Sequence, residues 1–159
     1  MLSDSALLGL PAPAKLNLFL HVVGRRPDGK HLLESVFTLI DLHDTIDLFR
    51  LEEPVVERTG DVIGNVEKDL CVRAARLLME TFDVRSGVRI HVEKRIPAGA
   101  GMGGGSSDAA TVLIGLNRLF GLGLSRSALM ELGERLGADV PFFIFGRTGF
   151  VEGIGEIIT

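Results

Sequence analysis

A glycine-rich stretch, PAGAGMGGGSSDAA at residues 97–110, constrains the fold of this chain more than any other part of its sequence. Five glycines lie within residues 97–105, and glycine both adopts positive φ and lets another molecule approach the backbone closely. Residues 87–95, which precede the stretch, alternate apolar and polar side chains as a strand does. The apolar residues that follow it have helical spacing, so the pattern predicts a tight loop between a strand and a helix.

We interpret this loop as a phosphate-binding site rather than a flexible linker. A glycine-rich turn before a helix presents unpaired backbone N–H groups and the positive end of the helix dipole to an anion. Ser106 and Ser107 add hydroxyl groups at the start of the predicted helix. A Walker A motif is excluded, because Gly104 is followed by Gly105 rather than lysine. The dinucleotide-binding fingerprint also fails, since no acidic residue follows about 20 positions later.

Length and composition indicate a single domain and narrow the classes of partner. A chain of 159 residues can bury a real core, and its formal net charge of −4 argues against nucleic acid as the main partner. Cys71 is the only cysteine, which excludes an intrachain disulfide, and we expect it to be buried. We find no signal-peptide pattern and no apolar segment long enough for a membrane span, so we expect a cytoplasmic protein without a membrane partner.

The first forty residues predict two strands joined by a turn. Residues 15–23 alternate, which predicts a half-buried strand with Leu16, Leu18, Leu20 and Val22 on its inward face. A Pro-Asp-Gly turn follows at residues 27–29, and residues 32–40 form a second β-rich run. We therefore expect a hairpin here.

The remaining residues mix further strands with three helices. Strands are predicted at 44–51, 54–58 and 87–95, and helices at 70–82 with Asp69 as its cap, from Ser106 or Ser107 onward, and from Ser125 to Gly137. The run ADVPFFIFG at 138–146 is interpreted as extended, and no closing element is evident at the end of the chain. This order predicts an α/β or α+β domain.

Three polar residues are candidates for chemistry, although each has an ordinary structural interpretation. Asp139 lies between a helix stop and Pro141, where a simple turn aspartate is common. Lys15 lies on a predicted strand, where most lysines are solvated. His31 follows the predicted turn and is by itself typical of a surface or core histidine. The residues alone leave both interpretations open.

Three stretches together resemble the GHMP kinases and, within them, the 4-diphosphocytidyl-2-C-methyl-D-erythritol kinase family. They are PAPAKLNLFLHVVGRRPDG, the glycine loop, which is similar to P-x-x-x-G-L-G-S-S-A-A, and LGADVPFF followed by GRTGFVEGIGE. The resemblance implies a fold like domain 2 of ribosomal protein S5, with a mixed sheet packed against helices. It also implies that residues 1–159 form the N-terminal ATP-binding domain and that the family's C-terminal domain is absent from this chain.

The resemblance implies ATP-dependent phosphorylation of the 2-hydroxyl of 4-diphosphocytidyl-2-C-methyl-D-erythritol, a small molecule of non-mevalonate isoprenoid biosynthesis, with Mg²⁺ as cofactor. Asp139 would be the catalytic base, Lys15 would stabilise charge, and Asn17 and His31 would bind substrate. No metal-binding residue is assigned, and a homodimer is left open. The residues implied to bind ATP are Pro97, Ala98, Gly99, Ala100, Gly101, Met102, Gly103, Gly104, Gly105, Ser106 and Ser107.

One departure from the family pattern keeps alternatives open. The family's D-G-Y-H turn reads Asp28-Gly29-Lys30-His31 here, so a lysine replaces the tyrosine that would stack on cytosine. A kinase of another GHMP substrate, such as homoserine, mevalonate or a sugar, therefore remains an alternative. The expected absence of the C-terminal domain leaves a second alternative open, a nucleotide-binding remnant without turnover.

Overall fold

The structure is a computed structural model that describes residues 5–159, apart from the side chain of Phe150. Within these residues a mixed six-stranded sheet packs against four α-helices, which confirms the α/β prediction. The strands are β1 (Ala6–Arg25), β2 (His31–Leu51), β3 (Val56–Gly60), β4 (Gly87–Glu93), β5 (Gly149–Glu152) and β6 (Ile157–Ile158). The helices are α1 (Leu70–Thr81), α2 (Gly104–Leu119), α3 (Arg126–Leu136) and α4 (Val140–Phe145), with a 3-10 turn at Val66–Lys68.

Strand β2 is the organising strand of the sheet. Its residues 31–49 pair antiparallel with β1, with four register shifts, which confirms the predicted hairpin. Its other edge is divided between two partners, because residues 45–51 pair with β4 and residues 35–37 pair with β5. Strand β3 lies parallel to β4, and β6 closes the other side against β5. Residues predicted as two separate strands, 32–40 and 44–51, are thus one continuous strand.

The core lies between the helices and the half of the sheet formed by β4 and by the ends of β1 and β2 that pair near it. Helix α2 crosses this half so closely that a Cβ atom added at Gly115 would lie 2.5 Å from Leu48 Cδ1 and 3.1 Å from Leu10 Cδ1. Cys71 is buried in α1 at 2% exposure, as expected. Side chains that are fully buried in this core include Ile46, Leu48, Leu78, Ile90, Leu113, Leu116 and Phe142.

The predicted inward face of β1 is wrong. Leu16, Leu18, Leu20 and Val22 are 43%, 62%, 50% and 59% exposed. Their alternation correctly indicates a strand, but α2 packs over the earlier part of β1, near Leu10. The second half of the strand therefore extends beyond the layer of helices.

The prediction of an extended run at 138–146 is also wrong, since Val140–Phe145 forms helix α4. Pro141 lies in the first helical turn, where its missing N–H costs nothing. Residues Val140 to Ile144 are all buried, and a helix buried on every side has no periodicity that distinguishes it from a buried strand. After α4 the chain does have a closing element, the β5–β6 hairpin.

Candidate functional site

The glycine loop leaves β4 and returns at α2 through three residues in the left-handed region. Gly99, Gly101 and Gly103 have φ values of 72°, 72° and 71°. Helix α2 begins at Gly104, with Gly103 as its N-cap, so the prediction that Ser106 or Ser107 starts the helix is wrong by two or three residues. Gly103 has no side chain with which to cap the helix. The first N–H groups of α2 consequently face the loop without a capping side chain, as an anion site requires.

A cavity of about 300 Å³ opens between this loop and the start of α1. Its loop side is formed by residues 97–105, and three cationic side chains, Arg58, Lys68 and Lys94, also line it. Asp61, Asp69 and Asp108 line the cavity too, and Arg58 and Lys94 are paired with Asp69 and Asp108. The exposed glycine backbone is therefore the feature that suits a nucleotide phosphate chain.

The wall opposite the loop is held by an ion pair at the base of α1. Arg58 of β3 lies 3.5 Å from Asp69, and their side chains are 2% and 12% exposed. Asp69 also caps α1, as predicted, by accepting hydrogen bonds from the backbone N–H groups of Cys71 and Val72 at 2.9 and 3.2 Å. These contacts connect β3 to the helix that borders the cavity.

Gly103 lies where the loop meets the rest of the domain. A Cβ atom at this position would be 2.7 Å from Phe143 Cζ of α4 and 3.4 Å from Lys15 Cγ of β1. The backbone N–H of Lys15 donates a hydrogen bond to the carbonyl oxygen of Met102 at 3.0 Å. The loop, β1 and α4 therefore converge on one point, and only glycine fits there.

Lys15 is almost completely buried, with 5% exposure, so it is not the solvated lysine that its sequence context suggests. Its ammonium Nζ donates to Asn17 Oδ1 at 2.5 Å and lies 4.2 Å from the centre of the Phe37 ring. Burial lowers the pKa of Lys15, and the negative charge of Asp139 opposes this shift. Asp139 is therefore near enough for its charge to act on Lys15, although the two residues are far apart in sequence.

Asp139 lies at the N-terminal end of α4 and makes no capping hydrogen bond there. Asp139 is half-buried, and its carboxylate lies close to the turn between β5 and β6, because a Cβ atom at Gly155 would be 3.3 Å from Asp139 Oδ1. A carboxylate that is not used as a cap remains available to interact with a ligand or with Lys15.

The two serines after the loop differ in accessibility. Ser107 is fully buried, and its Oγ has no hydrogen-bond partner among the described residues. Ser106 is half-buried. Of the two, Ser106 is the hydroxyl that a ligand can approach without rearrangement of the helix.

Three charged residues beneath the loop were not identified from the sequence. Lys94 Nζ lies 2.8 Å from Asp44 Oδ2 and 2.8 Å from Asp108 Oδ2. Asp44 is 0% exposed and Asp108 is 3% exposed. The one sequence signal for this cluster is that Asp44 falls in phase with Ile46 and Leu48, so that an inward carboxylate interrupts an apolar face.

Of the predicted substrate residues, the structure brings Asn17 next to Lys15 but leaves His31 at the far end of the hairpin. Lys15 pairs with Leu39, and His31 pairs with Arg25 at the turn. Eight residues of strand separate Leu39 from His31, which corresponds to at most about 26 Å along β2. The turn itself is as predicted: Gly29 has a φ of 87°, and Asp28 Oδ1 accepts a hydrogen bond from the N–H of Lys30 at 3.0 Å.

Among residues 5–159 there is no group of three or more histidine, cysteine, aspartate or glutamate side chains placed to hold a metal ion. No helix in the same range is long and apolar enough to cross a membrane.

Comparison with known proteins identifies the family. Residues 69–147 match the model of the GHMP kinases N terminal domain. The chain is 60% identical over 158 residues to the 4-diphosphocytidyl-2-C-methyl-D-erythritol kinase of Ralstonia nicotianae, covering 99% of this chain and 55% of the relative. It is 61% identical over 150 residues to the enzyme of the same name from Polynucleobacter necessarius, covering 94% and 51%.

Solved structures give the same result. A crystal structure of 4-(cytidine 5'-diphospho)-2C-methyl-D-erythritol kinase superposes with a TM-score of 0.79 at 42% identity, over 94% of this chain and 53% of that one. The homoserine kinase of Cytophaga hutchinsonii superposes with a TM-score of 0.68 at 20% identity, over 96% and 49%, and this likeness concerns the fold alone. The chain spans about half the length of the curated relatives it matches. It belongs to the GHMP kinase family, and its fold is the one that the sequence resemblance implied.

Proposed function

We propose that this chain is the ATP-binding, catalytic domain of a kinase that transfers the γ-phosphate of ATP to the 2-hydroxyl of 4-diphosphocytidyl-2-C-methyl-D-erythritol. One observation carries the proposal: the buried lysine of β1 is hydrogen-bonded to the glycine loop and lies near enough to Asp139 to be affected by its charge. The Lys15 N–H donates to the Met102 carbonyl within the loop, and the negative charge of Asp139 opposes the lowering of the pKa of Lys15. A phosphate held by the loop N–H groups would therefore lie beside a base and a cation.

In the proposed reaction, the Asp139 carboxylate accepts the proton of the substrate hydroxyl. The hydroxyl oxygen then forms a bond to the γ-phosphorus, and the bond from that phosphorus to the bridging oxygen breaks, releasing ADP. The positive charge of Lys15 stabilises negative charge that develops on the transferred group. Burial of Lys15 beside Phe37 strengthens this electrostatic effect by excluding water.

The residues around the loop fit a nucleotide that arrives with its metal ion. Mg²⁺ is usually held by one or two protein oxygens together with substrate phosphates. Bound Mg²⁺ would neutralise charge on the phosphates. Ser106 is the hydroxyl that we assign to this position, because Ser107 is buried.

The names of the relatives support the choice of substrate, and the length of the hairpin is consistent with an extended substrate. Asn17 lies beside Lys15, whereas His31 lies at the hairpin turn, up to about 26 Å further along β2. A ligand that contacts both ends must be long and thin. A nucleoside diphosphate joined to a methylerythritol has this form, with cytosine at His31 and the reacting hydroxyl at Asn17.

The test is ADP release by the 159-residue chain with Mg-ATP and the cytidyl-methylerythritol substrate, compared with the Asp139→Asn variant. We expect substrate-dependent ADP release that the variant loses by a factor of about 10² or more, with unchanged Mg-ATP affinity. Loss of Mg-ATP binding in Asp139→Asn would contradict the role given to Asp139. Homoserine, mevalonate and a hexose serve as alternative acceptors, and turnover of any of them in preference would contradict the substrate assignment.

A second candidate function is nucleotide binding without turnover. The exposed apolar face of β1 favours it, because Leu16 and Leu18 lie beside the proposed substrate path without a covering layer to exclude water. Mg-ATP binding without ADP release for any acceptor in the same assay would support this candidate over the kinase.

A further inference from the structure

Asp44 occupies a position that ought to be apolar. It points inward in phase with Ile46 and Leu48, and all three residues are 0% exposed. Burial of a carboxylate is costly unless hydrogen bonds replace its contacts with water. Asp44 Oδ1 accepts two such bonds, from the backbone N–H groups of Arg95 at 2.6 Å and Ile96 at 2.9 Å. Arg95 and Ile96 follow the end of β4 and form the first stem of the glycine loop, which is the segment by which the chain enters the loop. The Asp44 side chain accepts their N–H groups in place of a neighbouring strand and so fixes this stem.

Lys94 connects this stem to the second one. Its backbone N–H donates to Asp61 Oδ2 at 2.9 Å, which adds a third anchored amide at the entrance to the loop. Its ammonium bridges Asp44 and Asp108 at 2.8 Å to each. Asp108 lies in α2, one turn after the helix begins at Gly104. A single lysine therefore joins the entrance of the loop to its exit.

We propose that Asp44, Lys94 and Asp108 form a stem clamp, which holds the two ends of the glycine loop at a fixed separation. They are positioning residues, because they act through the backbone of the loop. A cradle held in its binding geometry before the ligand arrives loses less entropy on binding, so the clamp also raises the affinity for a phosphate-bearing ligand. This consequence for ATP rests on the proposed function, whereas the effect on the loop does not.

The charge of the clamp suits a position beneath an anion site. Burial, followed by the hydrogen bond with Asp44, raises the pKa of Asp108 to about 8. Burial disfavours ionisation of Asp44, but its bonds with Asp108, Ile96, Lys94 and Arg95 outweigh this effect and lower its pKa. With Lys94 charged, the clamp is neutral at pH 7 and becomes negative above about pH 8. Burial also raises the pKa of the neighbouring Cys71 thiol of α1, so that it is neutral. The other charged groups beside the clamp are Asp61, which accepts the Lys94 backbone N–H, and the Arg58–Asp69 ion pair in the same cavity.

Hydrogen exchange of the ligand-free chain tests the clamp directly. We expect Lys94→Met to increase exchange at residues 94–105 by at least about tenfold, because loss of a charge-assisted contact also weakens the hold of Asp44 on the stem. Asp108→Asn keeps the shape of the side chain and provides a milder variant if Lys94→Met unfolds. The matched control is Arg89→Met, which removes an exposed ion pair with Glu57 from the same strand β4. Exchange at 94–105 that is equal in wild type, Lys94→Met and Asp108→Asn would overturn the proposal.

Calorimetric titration with Mg-ATP at pH 7 and pH 9 provides the second measurement. We expect the affinity of the wild type to fall by about threefold or more between these values, since the clamp gains negative charge beneath the phosphates, and that of Asp108→Asn to change less. Equal pH dependence in the two chains would overturn the link between clamp charge and affinity. Faster stem exchange in the variants, with no Mg-ATP binding by the wild type, would support the clamp and contradict the proposed function.

Discussion

The two halves of β1 belong to the same strand but have different surroundings. In the first half, Ala12 and Ala14 are 0% exposed and Lys15 is 5% exposed, since α2 and the glycine loop cover them. In the second half, Leu18 is 62% exposed and Val22 is 59% exposed. We call these the covered half (residues 6–15) and the projecting half (residues 16–25). The difference shows that the proposed nucleotide end is built by contacts within this chain, whereas most side chains of β1 at the proposed substrate end are exposed to solvent.

The largest expected difference is between truncation of a leucine in the core beside the covered half and truncation of a leucine in the projecting half. Leu48 of β2 lies under Gly115 of α2 and is 0% exposed, so Leu48→Ala should lower the free energy of unfolding by about 2–5 kcal/mol through lost packing and a residual cavity. Leu18→Ala in the projecting half should change it by less than about 0.5 kcal/mol. Urea denaturation of both variants measures the difference. Equal destabilisation would show that the projecting half is packed in solution.

A smaller difference is expected for two glycines with positive φ. Gly103, beside the covered half, has a φ of 71°, and Gly29, at the tip of the projecting hairpin, has a φ of 87°. Alanine at either position should cost about 1–2 kcal/mol for the left-handed backbone. Only Gly103→Ala adds a clash with the Phe143 ring, worth about 1–3 kcal/mol more, because nothing lies within 4 Å of a Cβ at Gly29. Thermal unfolding measures both costs, and an equal loss in the two variants would refute the close approach at Gly103.

The third expected effect is on the pH dependence of stability. Because the pKa of Asp108 is raised to about 8, the folded state binds more protons at this site than the unfolded state from pH 4 to pH 8. Its contribution to stability is therefore complete at the acidic end of this window and falls as the pH rises through it. Asp108→Asn should remove this contribution and flatten the decline between pH 5.5 and 8.5.

The control for this measurement is Asp28→Asn at the exposed tip of the projecting hairpin, where the carboxylate pairs with Arg26 at the surface. Free energies of unfolding from urea titrations at four pH values in the window give the slopes. Asp28→Asn should retain the slope of the wild type. An Asp108→Asn slope equal to that of the wild type would contradict the raised pKa.

The features that were correctly predicted from sequence are those determined by neighbouring residues. The Asp28–Gly29 turn, the Asp69 and Ser125 caps and the Gly137 stop all depend on contacts within four residues of the chain. The position of the glycine loop between a strand and a helix was predicted for the same reason.

Features that depend on distant residues were missed. Which face of β1 is covered depends on where α2 crosses it, and alternation alone carries no information about that crossing. The stem clamp joins Asp44 to Ile96 across 52 positions, so no local pattern shows it. Helix α4 was predicted to be extended because a segment that is buried on all sides is apolar throughout. Its apolar residues then show no spacing that distinguishes a helix from a strand. The roles of Lys15, Asn17, His31 and Asp139 stay predictions, although Lys15 is now known to be buried.

The divided edge of β2 has a consequence for how the chain is made. Residues 35–37 pair with β5 at residues 149–151, which a ribosome adds more than a hundred residues later. At about 5–20 residues per second, this part of β2 waits roughly 5–20 s during synthesis before its partner exists. An unpaired strand edge invites pairing with other chains. The nascent protein is therefore open to pairing with other chains at Ser35–Phe37 until β5 is made, after which Ser35 and Phe37 are buried.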